Sequence, residues 1–90
     1  MSVSRTVQIC NVRGLHARAS AKFVTMASGL AAQVHVEKDG SSVVGTSIMG
    51  LMMLGAALGD EIVISASGDG AQQAVQALAE LVEARFHEAE

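Results

Sequence analysis

The sequence has no proline, no tryptophan and no tyrosine, and only one cysteine in 90 residues. A lone Cys10 excludes an intramolecular disulfide and any multi-cysteine zinc or iron–sulfur centre, and it fits a reducing compartment such as the cytoplasm. The aromatics are Phe23 and Phe86 alone, which excludes the rows of stacked rings that bind single-stranded nucleic acid. With a net charge of −3 there is no domain-wide basic footprint for nucleic acid either. Of the histidines, His35 lies on the polar face of a predicted strand and His87 in a fraying terminus. Neither has ligand spacing to the other or to His16, so neither a metal nor a cofactor is expected. The first residues lack the apolar core of a signal peptide. The longest uncharged stretch, 41–59, becomes nearly continuously apolar only from Ile48 to Gly59. That run is shorter than the ~20 residues a bilayer requires, so no membrane insertion is expected.

What is present is apolar: 50% of the residues, mostly Ala, Val, Leu, Ile and Met, enough for one core and too little for two. One domain over residues 1–90 is expected. The charge is segregated, because Arg5, Arg13, Arg18 and Lys22 meet no acid before Glu37, whereas residues 37–90 set two bases against nine acids. A small basic pole near residues 13–22 suits an anion or an acidic partner surface.

Period-2 alternation at Val7 and Ile9 predicts a first strand, and Asn11-Val12-Arg13-Gly14 breaks it. Ala19, Phe23, Met26, Ala27 and Leu30 then form a helical stripe, predicting a helix over 17–28 that ends in a left-handed turn at Gly29. Ala32, Val34 and Val36 predict a second strand, joined by the hairpin dipeptide Asp39-Gly40 to a third at Ser41–Val44. Thr46 or Ser47 supplies a hydroxyl to start a short Met-rich helix that exits through Gly55 and Gly59. Ile62, Ile64 and Ala66 predict a fourth strand. Asp69 then offers an N-cap with Gln72 at the third helical position, opening a last helix whose stripe is Val75, Leu78, Val82 and Phe86. The acids Glu80, Glu83, Glu88 and Glu90 read as a solvated helix face and tail. The order β-α-β-β-α-β-α with single-faced strands is α+β, an antiparallel sheet with helices on one side.

The chemistry concentrates at Gly14-Leu15-His16-Ala17-Arg18. An imidazole at a helix start stands beside unpaired backbone N–H groups and a partial positive charge, a setting that favours a phosphoryl group. His16 can act as a nucleophile, the amides of Ala17 and Arg18 can hold the oxygens of the attached group, and Arg18 and Arg13 add positive charge.

Together with Ser47-Ile48-Met49-Gly50, this segment resembles HPr, the histidine-containing phosphocarrier of the bacterial phosphotransferase system, over essentially the whole chain. The resemblance implies an HPr-like open-faced β-sandwich, a four-stranded antiparallel sheet covered on one face by three helices. It implies a phosphoryl carrier rather than an enzyme. His16 would accept the group on Nδ1 from phospho-enzyme I, charged from phosphoenolpyruvate, with Arg18 stabilising it, and would pass it to a histidine of an enzyme IIA-type protein. Ser47 matches the family's regulatory serine, the target of an HPr kinase in many members. A phosphate there would put about −1.5 to −2 charges on a surface meant for acidic partners. Ile48, Met49, Met52 and Met53 resemble the docking patch, with Arg13 and Ser20 also facing partners, while Leu51 and Leu54 face the core. A monomer is expected. The family usually has proline after the motif arginine; here Ala19 follows, which leaves another amide in the first turn and a less rigid loop. Gly50 and the Met52-Met53 pair look more like the nitrogen-regulatory branch than the sugar-uptake branch. A second reading uses the same residues: a regulatory docking protein controlled by its phosphorylation state, with little phosphoryl flux to sugar transport.

Overall fold

The computed structural model describes residues 2–88. Its elements are β1 (Ser2–Gln8), α1 (Ala17–Ser28), β2 (Gln33–Lys38), β3 (Ser41–Val44), α2 (Ile48–Met53), β4 (Glu61–Ser67), α3 (Ala71–Glu83) and a short 3-10 turn, Arg85–His87. The four strands form one antiparallel sheet in the order β1-β4-β2-β3, so β4 lies between the first two strands of the chain. This is the open-faced α+β sandwich expected from the sequence.

Alternation sets which face of the sheet is covered. Val34 and Val36 of β2, and Ile62, Ile64 and Ala66 of β4, are buried, while Gln33, His35 and Glu37 are exposed. The covering layer is built from the stripes of the two long helices: Ala19, Phe23 and Ala27 of α1, and Val75, Leu78 and Val82 of α3. Phe23 and Phe86, the only two aromatics, are both fully buried in that core. At the β2–β3 hairpin Asp39 and Gly40 both take positive φ, 51° and 84°, as a two-residue turn of this hand requires.

Three local details differ from the sequence expectations. Gly29 has φ −85°, so α1 does not end in a left-handed turn; it tightens instead, with Gly29 N–H donating to Met26 O and Leu30 N–H to Ala27 O. Asp69 does not cap α3. Gly68 and Gly70 turn the chain with φ of 93° and 73°, and Gly70, one residue later, is the N-cap, a left-handed position that favours glycine over aspartate. Phe86 is not on α3, which ends at Glu83; it reaches the core through a reversal in which Arg85, Phe86 and His87 all have positive φ, 58°, 53° and 56°. His87 is accordingly part of a defined turn, and not of a frayed end.

Candidate functional site

The loop between β1 and α1 is drawn against the exit of α2. Leu15 N–H donates to Ala56 O at 3.0 Å, and Gly14 approaches so closely, at φ 64°, that a Cβ there would overlap the backbone of Ala56 and Ala57. Glycine is therefore demanded twice at this position, by conformation and by contact. Ser20 is fully buried and its hydroxyl donates to Leu15 O, 3.2 Å away. This corrects the expectation that Ser20 meets a partner: it ties the first turn of α1 back onto the loop.

That loop sets His16 as the N-cap residue of α1, extended at φ −73° and ψ 179°, with Ser20 N–H donating to its carbonyl at 2.9 Å. Its side chain makes no capping hydrogen bond. The amides of Ala17, Arg18 and Ala19 precede the first intrahelical bond and remain directed out of the helix end, where they and the dipole favour an anion. Ala17 and Arg18 are exposed beside them, as is Arg13 on the loop. Of the four bases in the amino-terminal segment, two are engaged elsewhere. Arg5 pairs with Glu83 at 3.0 Å, and Lys22 donates to Phe86 O at 2.7 Å. Arg13 and Arg18 make no ion pair among the described residues.

Two residues that periodicity did not single out complete the arrangement. Glu88, expected in a solvated tail, instead bridges into the site. One carboxylate oxygen lies 2.5 Å from His16 Nε2, and the other accepts from Asn11 Nδ2 at 3.0 Å. Asn11, expected only to break a strand, is fully buried and also donates from Nδ2 to Gly14 O at 2.8 Å. Burial pushes the Glu88 carboxyl up, but the hydrogen bonds from Asn11 and His16, with the charges of His16 and Lys22, outweigh it and hold the group below its ordinary value. With Nε2 engaged, Nδ1 is the ring nitrogen left for chemistry. The expected Glu90 lies outside the described residues.

The Met-rich helix lies beside α1. Ser47, not Thr46, is its cap, its hydroxyl accepting from Gly50 N–H at 3.0 Å. Ile48, Met49, Met52 and Met53 are exposed while Leu51 and Leu54 are buried, the division that the family resemblance implies. Val12 on the histidine loop and Leu58 beyond the helix are exposed as well, at 66% and 56%. Cys10, at the end of the first strand, points its thiol at the Val82 carbonyl oxygen, 3.3 Å away, and so tethers the strand to α3.

Residues 3–84 match the family model described as "PTS HPr component phosphorylation site". The chain is 41% identical to the phosphocarrier protein HPr of Cupriavidus necator over 88 residues, 98% of this chain and 99% of that one. It is 37% identical to the phosphocarrier protein NPr of Shewanella violacea, covering 97% of this chain and 96% of that one. Among solved structures, HPr-C-His from Thermoanaerobacter tengcongensis superposes with a TM-score of 0.92 at 43% identity, covering 98% of this chain and 99% of that one.

Proposed function

The chain belongs to the HPr family of phosphocarrier proteins, and on that premise we propose that His16 is its phosphoryl acceptor, charged by phospho-enzyme I and discharged to an enzyme IIA-type protein. The observation that carries the reading is the placement of His16 at the open start of α1, with Nε2 occupied by Glu88 and Nδ1 left available. The Nδ1 lone pair forms the new bond to phosphorus as the donor's bond breaks and its electron pair stays with the donor. Charge developing on the phosphoryl oxygens is met by the amides of Ala17 and Arg18, which are already oriented and require no reorganisation. The Arg18 guanidinium adds a fixed positive charge that swings in from the exposed first turn. Phosphorus leaves by the same route to the next protein, so one domain over the whole chain serves as carrier, with no turnover of a small molecule and no cofactor.

Docking falls to the exposed Ile48, Met49, Met52 and Met53, with Arg13 supplying charge at the edge of the site. Methionine fits such a surface because its flexible thioether repacks against different partners. Ser47 is the regulatory position in this reading, and a monomer suffices for every step. An HPr kinase acting on Ser47 would place a dianion beside the apolar patch and weaken binding to acidic partners without altering the fold.

The second reading, a regulatory docking protein, draws on that same exposed patch beside a phosphorylatable cap. Incubation with enzyme I and phosphoenolpyruvate separates the two. An acid-labile phosphoryl group seen by mass and phosphorus NMR, and absent from His16→Ala, is expected for the carrier. Absence of label with an enzyme I active on another carrier would overturn that reading in favour of the docking regulator.

A further inference from the structure

The strained tail poses a physical question. Three successive residues that are not glycine, Arg85, Phe86 and His87, hold left-handed φ angles. Each costs about 1–2 kcal/mol relative to a right-handed conformation, and such strain persists only where the surroundings impose it. Here Phe86 is driven into the core and its carbonyl is held by the Lys22 ammonium. The consequence of the reversal is the position of the next residue: Glu88 comes to lie between a buried amide and the imidazole, with its side chain only 12% exposed.

We propose that Glu88 is a positioning residue for phosphoryl transfer, its carboxylate held by Asn11 so that it accepts a hydrogen bond from the Nε2–H of His16 and leaves the lone pair on Nδ1. The inference rests on the reading of His16 as acceptor and adds how that ring is prepared. A neutral imidazole carries one proton, on either nitrogen, and the group facing one nitrogen decides which. A carboxylate has only lone pairs to offer, so a tautomer with its own lone pair on Nε2 would set lone pair against lone pair. The proton therefore sits on Nε2. When Nδ1 attacks, its electron pair forms the N–P bond, the donor keeps the electrons of the bond that breaks, and Nε2 retains its proton. The ring becomes cationic, and the carboxylate already in contact stabilises that charge. No proton moves in either direction, so the same hydrogen bond serves acceptance and release. The orienting contact is of the kind by which carboxylates fix histidine tautomers elsewhere.

Asn11 makes the test sharp, because its Nδ2 donates to the second Glu88 oxygen and so dictates how a glutamine at the same place must orient. In Glu88→Gln the amide oxygen stays with Asn11 and the NH2 turns toward Nε2. That favours a lone pair on Nε2 and a proton on Nδ1, the inactive tautomer. In Glu88→Ala neither tautomer is favoured. The proposal thus predicts an order that packing does not: the isosteric glutamine is the worse variant. Long-range 15N–1H correlation spectra of the unphosphorylated proteins, in mildly alkaline buffer, are expected to show the Nε2–H form in the wild type, a mixture in Glu88→Ala and a shift to Nδ1–H in Glu88→Gln. The rate of acceptance from phospho-enzyme I is expected to fall about 10- to 100-fold in Glu88→Gln, and less in Glu88→Ala. Glutamine close to wild type in both tautomer and rate, with alanine the more impaired, would overturn the proposal and leave Glu88 a packing residue. Failure to label the wild type would overturn the carrier reading itself, and with it any role of Glu88 in transfer.

Discussion

Gly14 and Gly55 have nearly the same φ, 64° and 65°, yet their surroundings differ completely. A Cβ on Gly55 meets nothing within 4 Å, whereas on Gly14 it overlaps the Ala56 carbonyl and lies 2.9 Å from Ala57 Cα. Replacing each by alanine therefore separates conformational cost from close approach. For Gly55→Ala the cost is left-handed strain alone, partly offset by the reduced freedom of the unfolded chain, a net loss of about 1 kcal/mol. Gly14→Ala carries that cost too, and must also push the histidine loop off the 56–57 backbone. The buried Leu15 N–H then loses its bond to Ala56 O, worth a further ~1–3 kcal/mol for an unsatisfied buried donor. A total of about 2–4 kcal/mol is expected. For a chain of this size each kcal/mol lowers the melting temperature by about 4–8 °C, so Gly14→Ala should melt on the order of 10 °C below Gly55→Ala. Urea unfolding of the two variants with unchanged m-values gives the comparison directly. Equal stabilities, within about 0.5 kcal/mol, would refute the claim that backbone contact with 56–57 fixes the loop bearing His16.

Ser47→Ala should lose about 1 kcal/mol through the missing helix cap, while Ser47→Asp, which retains an acceptor, should lose little; equal losses in thermal unfolding would show that the hydroxyl does not cap α2. His87→Gly should be stabilised by about 0.5–1 kcal/mol, because relief of its left-handed strain exceeds the greater freedom of glycine in the unfolded chain, and a lower melting temperature would contradict this. The Glu88 carboxyl, held below its ordinary value in the folded protein, contributes stability that is fully present above the unfolded glutamate value and lost as the pH falls through the depressed folded one. Urea midpoints taken from pH 7 down to pH 3 should therefore fall more steeply for the wild type than for Glu88→Gln; parallel curves would count against the hydrogen-bonded carboxylate.

Elements with a strong period were legible in the sequence. Ala17–Ser28 and the β2–β3 hairpin at Asp39-Gly40 lie where the apolar spacing and the turn dipeptide put them. The division of the Met-rich helix into exposed methionines and buried leucines came from the family resemblance, not from periodicity, and it agrees with the burial seen here. What periodicity cannot carry is a residue whose backbone leaves the regular regions. Phe86 fits the α3 stripe at four residues beyond Val82, so the pattern extended the helix through it. In fact the chain reverses at Arg85 and still buries the ring. Gly70 caps α3 by its left-handed φ, a role that a list of favourable capping side chains gives to Asp69 instead.

The same reversal explains why the candidate site was only half visible. The part made of one contiguous segment, Gly14 to Arg18, announces itself, because a histidine at a helix start has a local physical signature. The other part depends on closure across the whole length of the chain: Asn11 and Glu88 are 77 positions apart, and neither residue type is unusual where it stands. An asparagine after a strand reads as a turn, and a glutamate near a terminus as a solubilising charge. Only the left-handed turn, imposed by burial of Phe86 and the Lys22 contact, converts that terminal charge into a ligand for the imidazole. Burial of Asn11, visible only in the structure, is what marks it: its side-chain NH2 donates to Gly14 O and to Glu88, while its Oδ1 has no hydrogen-bond partner among the described residues. Tail geometry and imidazole orientation are therefore coupled, and substitutions that release Phe86 from the core should loosen the Glu88 contact with His16 even though they lie outside the motif.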